Sequence, residues 1–115
     1  MLSVEKLREY GANVDEGMAR CMNNETFYLR LVNIAVEDAG FEKLCKAVEK
    51  GDQKESFEAA HALKGMLSNL SLTPMSAPVS EMTELLRAGK EADYQAFWEQ
   101  IREQREKLRA LRDEA

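Results

Sequence analysis

The chain has little of several things that enzymes and metal proteins depend on. Among its 115 residues there is one histidine, His61, and there are two cysteines, Cys21 and Cys45, and two prolines, Pro74 and Pro78. A single imidazole excludes any site that needs two. The cysteines form no C-x-x-C and join no Cys/His cluster, so neither structural zinc nor any other metal of the chain's own is expected. Each falls among apolar helical positions, which reads as a buried free thiol in a reducing compartment rather than half of a disulfide. No apolar run reaches the roughly 18–20 residues of a membrane span. The opening stretch, MLSVEKLREYG, is too polar for a signal peptide. The expected location is the cytoplasm, away from membranes. Basic residues are in the minority, 16 Lys and Arg against 21 Asp and Glu, for a net charge of −5. A nucleic-acid partner is not expected, because neutralising phosphates takes clustered cations.

The scarcity of chain breakers favours helices, and the hydrophobic pattern agrees. Few segments alternate with period two. Short helices are expected over 4–10, ending at Gly11, and over about 14–22, capped by Asn13 or Asp15. A long third segment, about 24–50, carries Phe27, Ile34, Phe41 and Val48 at intervals of seven, with Leu31 and Cys45 on an intermediate row. That seam suits a helix bundle, while Gly40 and Asp38 mark a place where the helix can kink or split. A fourth helix opens with Asp52 and Glu55, the spacing of a capping box, and reaches about Leu70. A fifth follows SLTP, with Thr73 as its cap and Pro74 in its first turn; Pro78 makes its start ambiguous. A sixth spans about 91–112, its last turns charged and prone to fray. The expected fold is all-α. An antiparallel four-helix bundle is built from segments three to six, with the short N-terminal helices packed across one end. The whole chain, 1–115, reads as one domain with its bundle core at about 24–112.

His61 is the residue on which a functional reading turns. At about 100° per residue, Ala59, Ala62, Leu63, Met66, Leu67 and Leu70 fall in an arc of about 140° and form the expected core stripe. His61, Lys64, Gly65 and Ser68 lie opposite, with Phe57 nearby. The histidine should therefore face solvent in mid-helix. Gly65, one turn on, costs about 0.8–1 kcal/mol in a helix interior, but without a Cβ it lets another protein come close to the imidazole. Lys64 is a surface neighbour of His61 and can stabilise an anion attached to the ring. Phe57 and Ser68 complete an apolar and small-residue rim suited to docking.

The run AAHALKGMLSNLSL resembles the motif of the histidine phosphotransfer (HPt) domain family, roughly A-H-x-L-K-G-x-x-x-N-L-G. The matching residues are His61, Leu63, Lys64, Gly65, Asn69 and Leu70. The upstream GD of EKGDQKESFEAAH and the NNETFYLRLV segment fit as well, so the likeness extends over about 7–98. It implies an all-α four-helix bundle that accepts a phosphoryl group from a receiver-domain aspartate and passes it to another receiver. His61 would be the phosphorylated residue, Lys64 would stabilise the phosphoryl group and Gly65 would permit approach. Two departures stand out. Ser71 occupies a position where the family often has glycine. Met82-Thr83 stands where a Leu-Glu pair is common, so that Thr83 would replace a polar contact near the histidine and Arg87, one turn on, would add a cation. The expected docking set is thus Phe57, Gly65, Ser68, Thr83 and Arg87.

The resemblance implies a phosphohistidine intermediate in two-component signalling. Neutral imidazole attacks phosphorus, with Nε2 expected because it projects farthest from the backbone. The partners would be receiver domains of response regulators or hybrid kinases. They bring the phosphoaspartate and its Mg²⁺, so the chain itself needs no cofactor. With no nucleotide-binding motif it should act as a phosphocarrier rather than an autonomous ATP-dependent kinase, and as a monomer. The alternative is a non-catalytic helical module that docks a receiver or a partner helix while His61 stays inert.

Overall fold

A computed structural model describes residues 1–114, in which seven helices follow one another: α1 (Val4–Tyr10), α2 (Val14–Arg20), α3 (Glu25–Val36), α4 (Gly40–Lys50), α5 (Gln53–Asn69), α6 (Thr73–Arg87) and α7 (Tyr94–Asp113). Side-chain caps start most of them. Ser3, Asn13, Asn24, Asp52 and Asp93 each accept a hydrogen bond from the backbone N–H three residues on, satisfying a donor the helix itself leaves free. Gly11 and Gly51 end α1 and α4 in the left-handed conformation. Among the described residues no helix is long and apolar enough to cross a membrane.

Helices α4 to α7 form the bundle. Each packs on its sequence neighbour, and α7 closes the ring on α4. Short connections make successive members antiparallel. The core holds Phe41 and Leu44 from α4, Leu63 and Leu67 from α5, Met75, Val79 and Met82 from α6, and Ile101 and Leu108 from α7, all essentially inaccessible.

Several expected details are corrected. Segment 24–50 does split, at the place that Gly40 and Asp38 mark, into two helices. The chain leaves α3 after Val36, and the Asp38 carboxylate accepts the Gly40 N–H at 2.8 Å, starting α4 afresh. The seven-residue seam therefore does not run through. Phe27 is 39% exposed and Ile34 60%, while Tyr28, Val32, Ala35 and Val36 turn inward. The break resets the register, so Phe41 is buried although Ile34 is not. Thr73 does not cap α6; it is the first helical residue, after Leu72, and the helix runs on through Pro78. The charged end of α7 stays helical. Arg109 and Arg112 both reach Glu37, and the N-terminal ammonium donates to the Arg112 carbonyl. Cys21 is buried and Cys45 half-buried, both as free thiols.

The short helices close one end of the bundle, at the turn between α5 and α6. Ser71 adopts φ 56° there, a left-handed conformation that disfavours a residue with a Cβ and that glycine adopts without that cost. Its polar atoms are fully engaged. The Ser71 N–H donates to the Ser68 carbonyl at 3.0 Å, its carbonyl accepts the Asn13 N–H at 3.0 Å, and its hydroxyl accepts from Arg20 at 3.0 Å. Arg20 also donates to the Ser68 carbonyl at 2.7 Å, and the Tyr28 hydroxyl to the Leu70 carbonyl at 2.9 Å. Helix α2 comes this close because Gly17 has no side chain. A Cβ there would lie 2.7 Å from the Tyr28 ring and 2.9 Å from the Leu70 carbonyl oxygen.

Two stability measurements follow from these contacts. Gly17→Ala forces the Tyr28 ring and the α5 end apart, an overpacking cost of about 1–3 kcal/mol. Its melting temperature should fall by about 5 °C or more, and an unchanged melt would show that α2 is not seated against Leu70. Hydrogen bonds from Arg112 and Arg109 hold the Glu37 carboxyl down at about 2. A lowered folded-state pKa contributes stability that is complete above the ordinary carboxylate range and disappears as pH falls through about 2. Wild type should therefore melt above Glu37→Gln at pH 7, with the gap closing by pH 2. A gap independent of pH would mean that the charge on Glu37 is not what ties α7 down.

Candidate functional site

Helix α5 owes its orientation to the residues it buries. Ser56, Ala60, Leu63, Leu67 and, just beyond the helix, Leu70 are inaccessible, and they fall within about 80° of arc. This stripe is narrower than expected and rotated from it. Ala60 belongs to it; Ala59 and Met66 are half-buried on its flank, and Ala62 is exposed on the side facing α4. The rotation leaves the expected solvent face intact. His61 is exposed, about 140° from the centre of the stripe, and Gly65 is opposite the core.

Around His61 the side chains of α5 and α6 form one connected group. The Phe57 ring stacks on the imidazole with centroids 5.6 Å apart and planes 16° from parallel. The Arg87 guanidinium lies over Phe57, 5.1 Å from its centroid, a cation–π arrangement. Arg87 Nε also donates to Glu84 Oε2 at 3.0 Å, and Lys64 Nζ lies 3.7 Å from Glu84 Oε1. Arg87, and to a lesser degree Lys64, hold the Glu84 carboxyl below its usual range. The chain of contacts thus leaves α5 at Lys64, crosses to Glu84 and Arg87 on α6, and returns to α5 through Phe57 to His61.

Beside this group lies open space. A Cβ on Gly65 would have no atom within 4 Å. The glycine relieves no packing inside this chain, and the space over it is open to solvent. Ser68, about one further turn along, is half-buried, and its carbonyl is held by Arg20.

One expected member of the docking set does not belong to the surface. Thr83 is completely buried, and its hydroxyl donates to the Val79 carbonyl at 2.7 Å, one turn back. Met75, Val79, Met82 and Leu86 share that inward face of α6, so Thr83 satisfies its hydroxyl within its own helix and meets no partner. The carboxylate near the site is Glu84, which sequence reasoning passed over. Its spacing of three from Arg87 marks a surface pair, but its approach to Lys64 is a tertiary contact that no local pattern displays.

Among the described residues no group of three or more His, Cys, Asp and Glu side chains is arranged to hold a metal ion. The arrangement presents one exposed imidazole stacked on Phe57, with Lys64 and Arg87 in the same group of contacts and open space at Gly65.

Comparison with protein-family models matches the Hpt domain over residues 37–113. No curated protein and no solved structure gives a significant match.

Since Gly65 touches nothing, Gly65→Ala should stabilise the isolated protein by about 0.5–1 kcal/mol through helix propensity alone. That is a rise of a few degrees in melting temperature. A fall would mean that the glycine serves the fold after all.

Proposed function

The chain belongs to the Hpt domain family, whose members serve histidine phosphotransfer in phosphorelays and interact with receiver domains; on that premise we propose that His61 carries the phosphoryl group between receiver aspartates. The observation that carries this reading is the exposure of His61 on the α5 face that Gly65 leaves clear. A receiver is a folded domain, bulkier than a free phosphate. The imidazole must therefore stand proud of a surface that another domain can lie against.

The step is an exchange of one bond for another. The lone pair of the imidazole nitrogen, Nε2 in this proposal, forms a bond to phosphorus as the acyl-phosphate P–O bond of the donor breaks. The aspartate carboxylate leaves, and the proton on the other ring nitrogen stays there or passes to solvent. Return to an acceptor aspartate reverses the exchange. Phosphoryl transfer relies mainly on positioning and on neutralising charge. Phe57 holds the plane of the ring by stacking, Lys64 supplies positive charge one helical turn from the phosphoryl group, and the receiver contributes its own Mg²⁺. Gly65, Ser68, Phe57 and Arg87 make the surface on which the receiver rests.

The test is transfer from phosphorylated receiver domains to the purified chain, read as acid-labile phosphate. His61→Gln should abolish labelling while leaving the helical circular-dichroism spectrum and melt nearly unchanged. Gly65→Gln, folded and with His61 intact, should slow transfer at least tenfold. Labelling that survives in His61→Gln would take the phosphoryl group away from His61, and a receiver that binds and never transfers would replace this reading with that of an inert docking module.

A further inference from the structure

The contacts of Glu84 bear on a question that the phosphocarrier role leaves open, namely what Lys64 does before a phosphoryl group arrives. Its ammonium lies 3.7 Å from Glu84 Oε1, and the second oxygen of the same carboxylate accepts from Arg87 Nε at 3.0 Å. Glu84 therefore stands between two cations, Lys64 and Arg87, and pairs with both. Its own backbone neighbour Thr83 is buried, so the carboxylate is fixed at its base while its tip is about half exposed. A phosphoryl group on His61 would be a second anion competing for Lys64, since residues three apart on a helix are neighbours. Arg87 has a different geometry. It is committed to Glu84 from the same helix and to the face of Phe57, so it can keep the carboxylate when Lys64 departs.

We propose that Glu84 is a positioning residue that acts through Lys64: it holds the lysine in the unphosphorylated protein, yields it to the phosphoryl group, and so sets how strongly His61 retains phosphate. This rests on the phosphocarrier reading and adds to it a determinant of transfer equilibrium. The group is not a new nucleophile and forms no bond. Its effect is that of an anion competing for one cation at a solvent-exposed site, where an ion pair is worth a small factor and salt weakens it.

The experiment uses no receiver. Isotopically heavy wild-type protein is first phosphorylated with phosphoramidate, whose P–N bond breaks as the imidazole N–P bond forms and ammonia leaves. It is then mixed with unphosphorylated Glu84→Gln at equal concentration, with free imidazole as phosphoryl shuttle, and the partition is read by intact mass. The expected result is about two- to fivefold enrichment of phosphate on Glu84→Gln at low salt, shrinking at high salt. Repeating the competition between Lys64→Ala and the double variant Lys64→Ala/Glu84→Gln should return the ratio towards one. An even partition in the first competition overturns the proposal. So does an enrichment that persists undiminished without Lys64, because Glu84 would then act on the phosphoryl group directly. Failure of wild type to take phosphate from phosphoramidate at all would remove the phosphocarrier reading itself, and is distinguished from both by occurring before any competition.

Discussion

Burial of Ala60, Leu63 and Leu67 between the neighbouring bundle helices fixes the rotation of α5 about its axis, and everything at the site depends on that angle. A helix carries its side chains at fixed angular intervals, so sending this stripe inward sends His61 and Gly65 outward. The approach of α4 is part of the same constraint. A Cβ on Gly40 would lie 3.1 Å from Leu63, which indicates how tightly the first bundle helix holds the second. A rotation of one residue position, about 100°, towards the core would carry the imidazole to the edge of the buried stripe.

The other end of α5 is fixed by different chemistry. The last carbonyls of a helix have no partners of their own. Here they are taken by Arg20, Tyr28 and the backbone around Ser71, all contributions of the N-terminal helices except Ser71 itself. Those helices lie ahead of the segment matched by the family model, which starts at residue 37. They therefore do for this chain what a glycine at the turn and solvent would otherwise have to do. Their hydrogen bonds hold Ser71 in a conformation that its Cβ opposes.

How much of this could be read from the sequence depended on how local each determinant is. Asn13 and Asp52 cap their helices through contacts three residues away, so those two helix starts were visible as spacing, whereas the caps Ser3 and Asp93 went unread. The outward face of His61 was visible for the same reason. The angular relation between residue 61 and Leu63, Leu67 and Leu70 belongs to the helix alone, and it survived errors at Ala60 and Ala62 on the flanks of the stripe. The seam of Phe27, Ile34, Phe41 and Val48 misled because the break that Gly40 and Asp38 mark resets the register between its two halves. Thr83 misled because a position inferred by likeness to other chains carries no information about which way a helix turns in this one. Glu84 escaped because its significance lies in α5, twenty residues earlier in the chain.

The site is thus a surface and not a cavity. One imidazole is presented by a buried stripe and stacked on Phe57, in one group of contacts with Lys64 and Arg87, beside the open space at Gly65. The most direct measurement of that account is a backbone-amide NMR footprint of the chain bound to a receiver whose aspartate carries beryllofluoride in place of phosphate. The account predicts perturbations centred on His61 and Gly65, extending to Phe57 and Arg87 and absent from the exposed outer face of α3 at Phe27 and Ile34. A footprint centred on α3, with the His61 face unperturbed, would contradict it.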